Sequence, residues 1–148
     1  MLKVSGVVVL YHPDDSIIEN IQSYINFIDN LYIIDNSGLI CSEIIVNLKK
    51  IKKCIYVNNE ENLGLGRALN IGAEMALDND ADWLLTMDQD SYFCEGALMY
   101  MLQWLNNNYT DNIGIVSPVH KITGYTVIVD NKIIDTSVVM TSGNLLNL

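Results

Sequence analysis

The chain has 148 residues, half of them hydrophobic, with 18 acidic against 8 basic side chains and a formal net charge of −10. That length suits one domain burying roughly 68–70% of its unfolded surface, so a core forms without staples. The charge excludes nonspecific nucleic-acid binding, which needs Lys and Arg to displace counterions, and it obliges any phosphate ligand to be met by a metal or a local cation.

Val4 to Tyr11 is a continuous apolar run rich in valine, the pattern of a strand buried on both faces of a parallel sheet. His12-Pro13-Asp14-Asp15 breaks it. Ser16-Ile17-Ile18-Glu19 then has capping-box spacing and predicts a helix carrying Ile17, Ile21, Tyr24, Ile25 and Ile28. Leu31 to Ile34 is the second strand, ending in Asp35-Asn36-Ser37-Gly38. Ser42 caps a second helix with Ile45, Leu48 and Ile51. Cys54 to Val57 is the third strand, ended by Asn58-Asn59-Glu60-Glu61-Asn62.

After Gly64 the periodicity predicts a helix to about Asp78, with Leu65, Leu69, Gly72 and Ala76 on one stripe and Ala68, Ile71 and Met75 beside it. Trp83 to Met87 is the fourth strand. A helix near Glu95 to Asn106 is expected to bury Ala97, Leu98, Met101, Leu102 and Leu105. Ile113 to Ser117 is a fifth strand, and residues 125–139 around the turn Asp130-Asn131 read as a hairpin. Strands alternating with helices predict right-handed βαβ units in a doubly wound, mostly parallel α/β sheet, with helices on both faces and a C-terminal β-hairpin.

No apolar run reaches the ~18 residues of a transmembrane helix, and Val7 to Leu10 is too short for a secretory leader. Cys41, Cys54 and Cys94 are scattered, without metal spacing, and read as reduced thiols. A cytoplasmic protein is expected, with peripheral contact at the inner membrane face left open.

In a doubly wound sheet, ligands bind outside the carboxyl ends of the strands. Four polar clusters gather there: Tyr11-His12-Pro13, Asp35-Asn36-Ser37, Asn62-Leu63-Gly64 and Asp88-Gln89-Asp90. Each alone is ordinary loop chemistry, since Asp, Asn, Ser and Gly are turn residues; four on one edge point to a site. Asp88 and Asp90, one residue apart at a strand end, would point the same way and suit Mg²⁺ or Mn²⁺. Gly64-Leu65-Gly66 is not a dinucleotide fingerprint, because its third glycine position holds Leu69 and it follows the third strand. A phospho-acceptor receiver would want an aspartate at the tip of strand three. A haloacid-dehalogenase-like site would place its acidic pair after strand one. A nucleotidyltransferase would want a Gly-rich basic loop there, where His12-Pro13-Asp14-Asp15 stands.

The ordered set Val7-Val8-Val9-Leu10-Tyr11-His12-Pro13, Ile33-Ile34-Asp35-Asn36-Ser37-Gly38, Asn62-Leu63-Gly64 with Ala68-Leu69-Asn70-Ile71-Gly72, and Met87-Asp88-Gln89-Asp90-Ser91 resembles the family 2 glycosyltransferases of GT-A fold. Its nearest likeness is to their rhamnosyltransferase-like branch. The resemblance implies a UDP- or dTDP-linked sugar donor, rhamnose in preference, and inverting, metal-dependent transfer to a polysaccharide, glycan or lipid-linked acceptor.

By that likeness Tyr11, His12 and Pro13 cradle the pyrimidine and Asp35 accepts from its N3–H. Asn62 and Gly64 close beside the nucleotide, with Gln89 next to it. Asp88 lies at the ribose or the metal, and Asp90 holds the Mg²⁺ or Mn²⁺ against the diphosphate. Leu69 stands where many relatives have Arg, so an arginine contact to the base is not carried over.

Nothing after Asp90 resembles the family's later acidic motif, so the catalytic general base is expected beyond Leu148, the last residue of the sequence. Residues 1–148 are therefore expected to be one nucleotide-sugar-binding domain, cut before the acceptor site and that base, and inactive alone. The alternative is a non-catalytic nucleotide-binding or interaction module of the same fold, self-associating through an apolar edge.

Overall fold

Every apolar run down to Met87 forms a strand and the amphipathic stretches between fold back as helices in the computed structural model, which describes residues 2–38, 43–108, 112–120, 136 and 138–148. Strands β1 (Val4–Leu10), β2 (Asn30–Asp35), β3 (Cys54–Asn58) and β4 (Trp83–Asp88) are mutually parallel. With β5 (Ile115–Val116) and β6 (Asn144–Asn147) they make a six-stranded sheet of order β3-β2-β1-β4-β6-β5, in which β6 is antiparallel to both neighbours.

The two-residue period of a strand sends alternate side chains to opposite faces. Val8, Ile33, Trp83 and Leu85 meet helices α1 (Ser16–Gln22), α2 (Glu43–Leu48) and α4 (Ala97–Asn108) on one side. Val7, Tyr32, Ile34 and Leu84 lie under α3 (Leu65–Asp78) on the other. This is the doubly wound α/β architecture that the alternation of elements predicts.

Several local expectations shift. Ser16 is the first residue of α1 rather than its cap; Asp14 Oδ1 accepts from both the Ser16 amide and hydroxyl, which holds the Asp14 carboxyl below its usual range. The helix ends at Gln22, and a 3₁₀ turn over Ile25–Phe27 carries Ile25 and Ile28 into the core. On α3 the buried spine is Ala68, Gly72 and Ala76, while Leu65 is half exposed. The helix lies so close to β1 that a Cβ on Gly72 would come within 2.3 Å of Val7 Cγ2. Small residues line that seam because nothing larger fits.

At the C-terminal edge, β5 and β6 form an antiparallel pair. Strand β6 is not evident from the sequence, and the hairpin expected at 125–139, with Asp130 and Asp135, falls almost wholly outside the described residues, as does the Ser42 cap. Leu148 follows β6 and is tied to the start of β4, its N donating to Asp82 O at 3.1 Å. Cys54 and Cys94 are free thiols, and burial pushes the Cys54 thiol pKa up to about 11; Cys41 lies outside the described residues. Among the described residues no helix is long and apolar enough to cross a membrane.

Candidate functional site

Parallel strands present their carboxyl ends on one edge, and the register identifies neighbouring tips. Leu10 stands beside Asp35, Val9 beside Asp88, and Asp35 beside Asn58. The chain winds outward from β1 through β2 to β3, then returns to place β4 on the other side of β1. That reversal opens a crevice above β1, where ligands of such sheets bind. With adjacent strands about 4.8 Å apart, Asp35 and Asp88 flank it at roughly 10 Å.

Tyr11 and His12 are exposed on the loop leaving β1, their rings edge-on at 4.4 Å, with Pro13 half-buried behind them. His12 has a φ of 49°, a left-handed conformation uncommon outside glycine. Two neighbours hold the loop in that shape. The Gln89 amide accepts from Tyr11 N at 2.8 Å and donates to Tyr11 O at 3.3 Å, pairing with the backbone as another strand would. Ser37 Oγ accepts from His12 N at 2.7 Å. Gln89 is itself fixed by Asn20 Nδ2, which donates to its carbonyl at 2.9 Å.

The β2 tip is the hub of the other ties. Asp35 is 1% exposed. Its Oδ1 accepts from Ser37 N at 2.8 Å and its Oδ2 from the Tyr56 hydroxyl at 2.6 Å. A carboxylate offers about four acceptor positions, so Asp35 keeps lone pairs for a further donor. Asn36, also buried, accepts from Asn59 Nδ2 at 2.7 Å and donates to Gly64 O at 3.4 Å. Exposed Asn62 accepts from Gly64 N at 2.9 Å, and Gly64, at φ 81°, turns the chain into α3. The loops after β1, β2, β3 and β4 are thus cross-tied into one rim.

The acidic pair is presented differently from the expectation. Asp88 is the last residue of β4, but Asp90 sits beyond it in a turn closed by Ser91 N donating to Asp88 O at 3.2 Å. The turn, not strand alternation, sets the pair close together. Burial raises the Asp88 pKa, the Asp90 charge raises it further, and His120 opposes them. Two carboxylates whose charges strain against each other are a donor set that a divalent cation relieves. Hard oxygen ligands in pairs suit Mg²⁺ or Mn²⁺, which take remaining ligands from water and phosphate. The residues present fit such an ion, and among the described residues no third His, Cys, Asp or Glu closes the group into a full cage.

Leu148, the residue beyond which the general base is expected, takes no part in this rim. Its tie to Asp82 O places it at the amino end of β4, the opposite edge of the sheet from the Asp88–Ser91 turn, because β6 runs antiparallel to β4.

Sequence reasoning missed Asn20, which fixes Gln89, and four further contributors. Tyr56 reads as a strand residue, and its link to Asp35 depends on β2–β3 pairing. Asn59 was only loop composition. Ser142, buried just before β6, accepts from Asp88 N at 3.0 Å and so supports the acidic turn. The Nε2 of His120 is buried without a hydrogen-bond partner, within electrostatic reach of Asp88. The signal for Ser142 and His120 was absent, because both arrive through the C-terminal edge of the sheet.

A model of the family described as glycosyl transferase family 2 matches residues 5–136. Among solved structures, the chain is similar to S. aureus TarS 1–349 in complex with UDP-GlcNAc, at 19% identity and TM-score 0.65, covering 86% of this chain and 37% of that one. It is similar to S. aureus TarS 1–349 at 16% identity and TM-score 0.69, covering 99% and 47%. A 4-diphosphocytidyl-2C-methyl-D-erythritol synthase matches at 12% identity and TM-score 0.60, covering 99% and 76%. These likenesses are of fold, the GT-A arrangement, and the chain spans less than half of the TarS chains. No curated protein matches the chain.

Proposed function

The chain belongs to glycosyl transferase family 2, and on that premise we propose that it binds a pyrimidine nucleoside-diphosphate sugar in the crevice above β1 and supplies the donor half of a sugar transfer. The observation that carries this reading is the cross-tied rim, which holds an acidic turn on one side of β1 and a fixed carboxylate on the other. TarS, of similar fold, is described in complex with UDP-GlcNAc and with UDP.

In this proposal Tyr11 to Pro13 wall the base, held by Gln89 and Ser37. Asp35 accepts from the pyrimidine N3–H with a remaining lone pair. Asn62 and Gly64 close the nucleotide side. Asp88 and Asp90 would hold Mg²⁺ or Mn²⁺, and the charge of that ion would stabilise the departing nucleoside diphosphate. Without the ion, each carboxylate would repel a phosphate charge ~4 Å away by roughly 4 kcal/mol at an effective dielectric of 20.

The general base of an inverting transfer, proposed to lie beyond Leu148, belongs to the same reading, as do the acceptor site, the rhamnosyl preference, and a cytoplasmic location against the inner membrane face. No described carboxylate is assigned as that base. Calorimetry with UDP and dTDP is expected to give saturable binding with Mn²⁺ that chelator removes. Equal failure of both ligands under both conditions would contradict the reading and favour a non-catalytic interaction module.

A further inference from the structure

On the Asp35 side of the proposed nucleotide site, Tyr56 is tied to both a carboxylate and an ammonium. Tyr56 sits on β3, one strand outside Asp35, and its hydroxyl donates to Asp35 Oδ2 at 2.6 Å. Lys49 Nζ lies 4.4 Å above the centre of the Tyr56 ring. An ammonium over the ring draws electron density from it, and hydrogen bonds in a connected chain polarise one another. Both make the phenol a stronger donor. On the other oxygen, Ser37 N holds the carboxylate at 2.8 Å, and Ser37 Oγ in turn receives His12 N at 2.7 Å.

A carboxylate gripped at both oxygens cannot rotate, so its unused lone pairs point in fixed directions. It is also held as an acceptor, since both of these partners are donors. We propose that Tyr56 is a positioning residue for base selection: by fixing Asp35 it makes the site choose pyrimidines that carry an N3–H, uracil and thymine, over cytosine. The inference rests on the nucleotide-binding reading above. Uracil and thymine offer a donor at N3. Cytosine offers an acceptor there, which sets lone pair against lone pair on a group that cannot turn away. A site built for a particular hydrogen bond rejects the analogue that lacks it far more strongly than an apolar pocket rejects a change of size. That rejection requires the carboxylate to stay in place, which is the part Tyr56 supplies. Without the phenol, Asp35 keeps one anchor and can swing, so cytosine is tolerated better while uracil is held less well.

The test is the ratio of UDP to CDP affinity, measured by calorimetry with Mn²⁺ on the full chain and on Tyr56→Phe, with melting curves to report folding. The unsubstituted chain is expected to prefer UDP by about 100-fold or more, and Tyr56→Phe to narrow that ratio about tenfold, the worth of one hydrogen bond to a charged group. Lys49→Met, an exposed change that leaves the hydroxyl in place, is expected to narrow it two- to threefold, in the range of an exposed cation–π contact; this variant carries the test if Tyr56→Phe does not fold. A structural role alone would lower both affinities together. An unchanged ratio in the folded variants would overturn the role of Tyr56 while leaving the nucleotide site standing. Failure of the unsubstituted chain to bind UDP at all would overturn the site and this inference with it.

Discussion

Asp90→Ala is expected to abolish the metal-dependent part of nucleoside-diphosphate binding, a loss of about 100-fold or more in UDP affinity measured with Mn²⁺, leaving binding no stronger than that seen with chelator. The reasoning is electrostatic. The molecule carries a net charge of −10, so a diphosphate approaching the acidic turn meets repulsion unless a cation intervenes. At ~4 Å and an effective dielectric of 20, one pair of charges is worth roughly 4 kcal/mol, and removing one of two carboxylate ligands forfeits a large part of that. Asp90 is exposed in a turn outside the strand. Its loss should therefore leave stability within about 0.5 kcal/mol, which separates a binding defect from a folding defect in the same preparation. Unchanged UDP binding in a folded Asp90→Ala protein would place the nucleotide elsewhere.

Gly72→Ala is expected to destabilise the domain by about 2 kcal/mol, read as a shift in the urea unfolding midpoint at constant slope. Alanine is the better helix former by about 1 kcal/mol, so on an open helix face the change would stabilise. Here the new methyl would stand 2.3 Å from Val7 Cγ2 and 2.8 Å from Val7 Cβ. Val7 lies in β1, paired with β2 on one side and β4 on the other, so the strand cannot retreat. The helix must lift instead, at the roughly 1–3 kcal/mol or more typical of overpacking. Gly66, on the same helix with nothing within 4 Å of its Cβ position, is the control: Gly66→Ala is expected to be neutral or stabilising. Because the Asn62–Gly64 loop runs directly into α3, a lifted helix should also weaken nucleotide binding.

Most of the sheet was legible because buried parallel strands leave a signal that survives without context. Val4 to Leu10 and Trp83 to Met87 are mainly apolar, interrupted only by small Ser5 and Gly6 in the first and by Thr86 in the second, and such runs have few other places to go. Helix α3 was legible in extent and in part of its buried face: Gly72 and Ala76 of the expected stripe are buried, while Leu65 on the same stripe is half exposed. Hydrophobicity alone favours Leu65 and Leu69, whereas the closeness of β1 selects Ala68, Gly72 and Ala76. Strand β6, Asn144-Leu145-Leu146-Asn147, has two apolar residues between asparagines and no alternation. It exists because β4 and β5 pair with it, and that is a tertiary cause.

The site shows the same division. Its four clusters were visible as turn chemistry at strand ends, and their gathering on one edge followed from the parallel topology. What was hidden was the wiring among them. Gln89 is expected from the sequence beside the nucleotide; its amide pairs with the Tyr11 backbone, a contact the sequence does not announce. Asp35 is expected from the sequence to face a base; what the structure adds is that its carboxylate accepts from Ser37 N and from the Tyr56 hydroxyl. The Gln89 and Tyr56 contacts join residues 78 and 21 positions apart, and no local pattern encodes them. The nearness of Asp90 to Asp88 follows from their spacing, though Asp90 lies in the turn closed by Ser91 rather than on the strand.

A divalent cation held at the tip of β4, between protein and diphosphate, is what the proposed chemistry requires. Anomalous diffraction from crystals grown with Mn²⁺ and UDP addresses that directly. The expected result is a manganese peak at the Asp88–Ser91 turn, coordinated by carboxylate oxygens of Asp88 or Asp90 and by the diphosphate, with the pyrimidine near Asp35. A bound nucleotide with no peak at that turn, or a peak whose ligands exclude both aspartates, would contradict it.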